Sequence, residues 1–179
     1  MVIYLQNMLY LIYNCKLMRS RKIIFYSGGY NMQCKMCEQQ KNITNDPYFI
    51  MELETGYVIL GWYQRFKGYT VFNCKEHGPE LHNLEHDFKI KHLEEMSIVA
   101  EAVSNVFKPD KMNYELLGNG CHHIHWHLYP RVKGDTPIVS SVYQLPNSVL
   151  FDESTRPSDE VRKDYINRIK KEIERLLAL

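Results

Sequence analysis

The sequence predicts an α+β fold, with an antiparallel sheet covered on one face. Short runs rich in β-branched and aromatic residues stand both before and after one long stretch of helical periodicity. A second stretch of the same period closes the sequence, and Gly, Pro, Asn and Asp mark the joints between runs.

The elements follow in order. Residues 1–15 carry no charge, and Lys16, Arg19, Arg21 and Lys22 come after them. A secretory leader puts its positive charge first, and a membrane span needs roughly 20 apolar residues. Neither pattern is met. Residues 1–31 are read as an N-terminal extension, with Met18 and Met32 able to serve as internal starts, and a cytoplasmic location without a membrane span is expected.

Asp46-Pro47 marks a turn. Residues 48–54 and 57–62, joined at Thr55-Gly56, have the pattern of a β-hairpin. Gly68 opens a third strand over 69–74. From about residue 83 the period changes. Leu93, Met96, Ala100, Val103 and Phe107 step by three and four, which is the apolar stripe of an amphipathic helix. Lys108-Pro109-Asp110 ends it. Met112, Tyr114 and Leu116 alternate as a fourth strand. Gly118-Asn119-Gly120 then turns the chain into a fifth, over 123–131. Residues 136–157 read as mostly irregular. Ser158 is a good N-cap for a terminal helix whose stripe is Val161, Tyr165, Ile169, Ile173 and Leu176. The expected organisation is an extension over 1–31, a catalytic body over 32–135, and a C-terminal tail with its helix over 136–179.

Bulk composition narrows the function classes. With 22 basic and 21 acidic side chains the net charge is +1, which argues against a broad nucleic-acid-binding surface. The five cysteines are odd in number, so reduced thiols or a metal site are expected rather than a disulfide framework.

The chemistry concentrates in His123, His125 and His127, which alternate with Ile124, Trp126 and Leu128. On a strand, period two puts the three imidazoles on one face and the apolar residues on the other. Each buried ring nitrogen needs a partner, so three histidines on one face are costly as core filler. They can bind a metal, or one can act as a nucleophile. Metal-dependent hydrolases usually add carboxylates, and none lies between Glu115 and Asp135. Cys34-Lys35-Met36-Cys37 is a CxxC pair that needs two more ligands to hold zinc. Cys74 and His82 are competing neighbours, and a plain pair of reduced thiols is the alternative.

The run Asn119-Gly120-Cys121-His122-His123-Ile124-His125-Trp126-His127-Leu128-Tyr129-Pro130-Arg131 closely resembles the histidine-triad (HIT) superfamily of nucleotide hydrolases and transferases. Its pattern is His-φ-His-φ-His-φ-φ, with φ apolar, often followed by Pro-Arg. Lys111 to Asn119 looks like the bacterial diadenosine-tetraphosphate-hydrolase-like branch. The resemblance covers roughly residues 34–131. It implies a HIT-like fold, an antiparallel sheet of about five strands with one long helix, and a homodimer.

The resemblance also implies site roles. His125 would attack the α-phosphorus of a nucleotide and form a nucleotidyl-histidine intermediate. The substrates would be dinucleoside polyphosphates or nucleoside phosphoramidates. His127 would contact phosphate oxygens, and His123 would lie near the leaving group or bind metal. Asn119 matches a family asparagine near the phosphate. The Gly-Gln-Ser/Thr loop of many members is missing, and His122 is a candidate replacement. The usual acidic ribose reader is also missing, with Tyr63 in its place, while Trp62 or Phe66 could stack on a base. Some bacterial members hold a structural zinc through residues matching Cys34, Cys37, His77 and His123. No organic cofactor is implied. The competing readings are a nucleotide-binding regulatory protein with slow turnover and a metal-dependent hydrolase.

Overall fold

A computed structural model describes residues 34–137 and 140–179. The reading of residues 1–31 lies outside them. Five strands form one antiparallel sheet: β1 Phe49–Glu52, β2 Gly56–Leu60, β3 Thr70–Cys74, β4 Lys111–Glu115 and β5 His125–Arg131. Their order is β1-β2-β3-β5-β4, so the histidine strand lies inside the sheet between β3 and β4. The helices are α1 Lys35–Gln40, α2 His86–Phe107, α3 Asn147–Leu150 and α4 Asp159–Leu177. The fold is α+β, as expected. Among the described residues, no helix is long and apolar enough to cross a membrane.

One sheet face makes the main core. Val58, Leu60, Phe72, Met112 and Leu128 meet Val99, Ala100 and Val103 of α2 and Ile169 and Ile173 of α4. The two isoleucines are fully buried, each contributing about 2 kcal/mol of transfer free energy. The C-terminal helix is therefore part of the body that carries the triad. It starts at Ser158, whose side chain accepts from the Val161 amide. Gly68 opens β3 at φ 88°, and a Cβ there would lie 2.3 Å from the Phe107 ring. Lys108 ends α2 in the left-handed region, just before Pro109.

The inner line of α2 differs from the apolar stripe read in the sequence. His92 and Glu95 are buried on it, while Leu93 is only half-buried. A chain of donors explains this. Trp126 Nε1 donates to His92 Nε2 at 3.2 Å, and His92 Nδ1 lies 3.0 Å from Thr55 Oγ1. Thr55 Oγ1 donates to Glu95 Oε2 at 2.6 Å. Glu95 also accepts from the Glu54 and Thr55 amides, so the hairpin turn is tied to α2 and through His92 to β5. Each buried polar group is paired, which makes its burial tolerable. Glu95→Gln presents an amide donor to a ring of donors. We expect a loss of about 2–3 kcal/mol in urea unfolding.

Candidate active site and metal centre

β5 begins at His125, so only two of the three triad histidines lie within it. His125 pairs with Asn73 of β3, and His127 pairs with Val71 of β3 and Glu115 of β4. The two rings stand edge to face with centroids 4.9 Å apart. Trp126 and Leu128 face the main core, as the alternation requires. His123 sits in the bend before the strand and is fully buried there.

A hydrogen bond fixes the tautomer of His125. His125 Nδ1 lies 2.5 Å from the His123 carbonyl oxygen. A carbonyl only accepts, so Nδ1 carries the proton and Nε2 keeps its lone pair. His127 Nδ1 lies 2.6 Å from the Tyr69 hydroxyl. Burial, helped by His125, pulls the His127 pKa down to about 4, and burial pushes Tyr69 above its ordinary range. Both groups are neutral at pH 7.

Three tyrosine rings gather around His127. Tyr69 stacks on Tyr129 with centroids 4.2 Å apart, and Tyr143 approaches His127 edge-on at 6.1 Å. Phe66 meets Tyr129 edge to face at 5.5 Å. A cavity of about 150 Å³ opens beside His127, lined by Tyr63, Tyr69, Tyr129, Tyr143, Phe151 and others. Val142 and Leu150 are buried against Phe66 and Tyr129, so the C-terminal segment covers this face of the sheet.

Several anticipated substrate contacts sit differently. Phe66 is only 4% exposed, with the Arg131 guanidinium over its ring at 5.0 Å. Phe66 is a wall of the cavity, held by packing. Trp62 is 46% exposed, with Tyr48 and Arg156 beside it and no part in lining that cavity. Asn119 and His122 are exposed on the bend between β4 and β5. Arg131 is bound to Asp135 by two hydrogen bonds of 2.7 and 2.8 Å, and it also donates to Asn113 and the Ser140 carbonyl. Its charge is spent on holding the chain after β5.

The CxxC lies on the other side of His123. Cys34 caps α1, and Cys37 lies one turn along it. His123 Nε2 lies 2.7 Å from the Cys74 carbonyl, so Nε2 carries the proton and Nδ1 offers its lone pair. That Nδ1 is 3.5 Å from both Cys34 Sγ and Cys37 Sγ. His77 Nδ1 is 3.5 Å from Cys37 Sγ. All four donor atoms lie within 4.8 Å of one another. A tetrahedron with Zn–S of about 2.3 Å and Zn–N of about 2.0–2.1 Å has S···N edges of about 3.6 Å. The three measured edges match that figure, so the residues present fit zinc.

The buried histidines have a consequence for stability. Burial lowers the His92 pKa from 6.5 to about 4, as it does for His127. The unfolded chain then binds more protons than the folded one between about pH 6.5 and 4. Stability is complete above the unfolded value and falls as pH drops through this window. For His92, which is fully buried, the loss is on the order of 3 kcal/mol. Urea midpoints should decline steeply from pH 7 to 4.5. A flat profile would show that these rings are not held neutral.

Comparison with known proteins comes to the same place. The model of the HIT domain matches residues 44–134. No curated protein matches. Among solved structures, a histidine triad protein from Bradyrhizobium japonicum is similar, with a TM-score of 0.62 and 20% identity. It covers 74% of this chain and 94% of its own. A histidine triad protein from Marinobacter aquaeolei VT8 has a TM-score of 0.63 and 20% identity, covering 76% and 95% respectively. A Zn-bound histidine triad family protein from Mycobacterium smegmatis has a TM-score of 0.57 and 19% identity, covering 82% and 97%. These structures share the fold.

Proposed function

The chain belongs to the histidine-triad family, and from that premise we propose that it is a nucleotide hydrolase acting through His125. The observation that carries this reading is the 2.5 Å hydrogen bond from His125 Nδ1 to the His123 carbonyl. It leaves Nε2 unprotonated and fixes the ring. Nε2 attacks the α-phosphorus of a dinucleoside polyphosphate or nucleoside phosphoramidate, and the bond to the leaving group breaks. Nδ1–H stays on the carbonyl and stabilises the charged imidazole of the adduct. Water then attacks phosphorus, the P–N bond breaks, and a nucleoside monophosphate leaves.

His127 is the partner on the phosphate side. With Tyr69 donating to Nδ1, the His127 proton resides on Nε2, where it can donate to a phosphate oxygen. Tyr69 acts through His127 as a positioning residue. Asn119 and His122, on the bend, are the candidate contacts to the phosphates, and Trp62 the candidate contact to a base.

Cys34, Cys37, His77 and His123 would hold a structural zinc. The ion would brace the bend before β5 against α1, and His125 would remain free for chemistry. A cytoplasmic homodimer completes the reading. β4 is an edge strand with Tyr114 half-exposed, which suits pairing with a second copy.

A second reading, nucleotide binding with slow turnover, is favoured by one observation. The cavity of about 150 Å³ beside His127 is smaller than the roughly 300–1,000 Å³ typical of small-molecule sites. Incubation with excess dinucleoside polyphosphate separates the two. Sustained release of nucleoside monophosphate supports the hydrolase, and tight binding without release supports the alternative.

A further inference from the structure

A fifth donor stands beside the four zinc-binding candidates. Cys121 Sγ lies 3.8 Å from Cys34 Sγ. Cys121 is not one of the four atoms that converge within 4.8 Å. It is half-buried, in the bend between β4 and the histidine strand. A Cβ placed on its neighbour Gly120 would meet nothing within 4 Å, and Gly118 has a φ of 66°. The backbone beside Cys121 therefore has open space around it, while His123, two residues on, is fully buried. A disulfide needs sulfurs about 2.05 Å apart, so closing this pair asks for a shift of under about 2 Å.

We propose that Cys121 and Cys34 form a redox pair, which a hydroperoxide converts to a disulfide with expulsion of the metal ion. The proposal rests on the zinc reading above and adds a modification site to it. The Cys121 thiol gives up its proton to water as its sulfur attacks the peroxide oxygen, the O–O bond breaks, and the leaving oxygen takes up a proton and departs as alcohol or water. This gives a sulfenic acid at Cys121. The Cys34 thiolate then attacks that sulfur, the S–O bond breaks, and water leaves. Two thiols and one hydroperoxide become one disulfide, one alcohol and one water, and two electrons pass to the peroxide. Cys34 can no longer donate its electron pair to the metal, and three ligands remain. A dithiol reductant restores both thiols and with them the site.

The placement ties oxidation to the triad. Cys121 is two residues before His123 and four before His125. The His123 amide donates to the Cys121 carbonyl at 2.7 Å, and the His123 carbonyl holds the His125 ring. A disulfide that draws Cys121 toward α1 pulls on that chain of contacts directly.

The test uses zinc-loaded full-length protein treated with one equivalent of hydrogen peroxide. Zinc release is read with a chromogenic chelator, and the linkage by non-reducing peptide mapping. The expected result is one zinc released per disulfide, a Cys34–Cys121 linkage, and recovery on reduction with zinc present. Cys121→Ser should bind one zinc like the wild type and release it about tenfold more slowly under peroxide. A Cys34–Cys37 linkage in the wild type overturns the proposal, as does unchanged release in Cys121→Ser. Loss of zinc binding in untreated Cys121→Ser also overturns it, because Cys121 would then be a ligand. If the wild type holds no zinc, the zinc reading fails by itself. Mapping the peroxide-treated, metal-free chain then still decides whether Cys34 and Cys121 are the pair that closes.

Discussion

In an assay with excess dinucleoside polyphosphate, His125→Ala should release nucleoside monophosphate about 10⁴-fold more slowly than the wild type. The size follows from the role. A residue that forms the covalent intermediate cannot be bypassed by the other two triad histidines, because each of those imidazoles is already committed. His127 is engaged at Nδ1 by the Tyr69 hydroxyl. His123 donates Nε2–H to the Cys74 carbonyl and turns its lone pair toward the two cysteine sulfurs. Among the described residues, the side chain removed is hydrogen-bonded to a local carbonyl alone, so the fold should survive. Unchanged zinc content and an unchanged urea midpoint would show that the loss is chemical. Turnover within threefold of the wild type would assign the nucleophile elsewhere.

Zinc removal carries the second large effect. Protein purified under reducing, chelator-free conditions should contain one zinc per chain, and chelation should lower the melting temperature by about 10 °C. A ligand at about 1,000 times its Kd adds roughly 4 kcal/mol. For a chain of this size, 1 kcal/mol is worth about 2–4 °C. Cys37→Ser should reproduce the shift without chelator, since its sulfur lies 3.5 Å from both His77 and His123. Activity should fall with unfolding and not before it, because the ion would brace the bend and leave the His125 lone pair alone. Loss of activity in demetallated protein that is still folded, with recovery on adding metal, would favour a metal-dependent hydrolase.

Strand and helix periods were legible because they are local. The hairpin over 48–62, the strand before Cys74 and the terminal stripe from Tyr165 to Leu176 each announce themselves within a few residues, and all appear in the fold. The gathering of Cys34, Cys37, His77 and His123 followed from resemblance, since nothing local brings residues 43 and 89 positions apart to one point. Other features had no local signal. Tyr69, Tyr129 and Tyr143 close on His127 only once three separate segments have packed together. The segment over 140–156 has little periodicity, and its contribution is a set of single side chains, Val142, Leu150 and Phe151 among them. Phe66 lies in the cavity wall with Tyr129 and Arg131 against its ring, a placement set by contacts far along the chain. His92 and Glu95 stood on the buried line of α2 unnoticed, since burial of either is paid for by partners at Thr55 and Trp126. Pattern reading sees hydrophobicity and misses polar groups satisfied at long range.

The central claim is that phosphorus is transferred to His125 Nε2. Rapid mixing with a dinucleoside polyphosphate labelled at the α-phosphate, followed by quenching and peptide mapping, tests it directly. The expected label is stable in base, lost in acid, carried on the peptide containing His125, and absent from His125→Ala. A label on His127 or His123, or rapid turnover with no labelled histidine at any time, would contradict it.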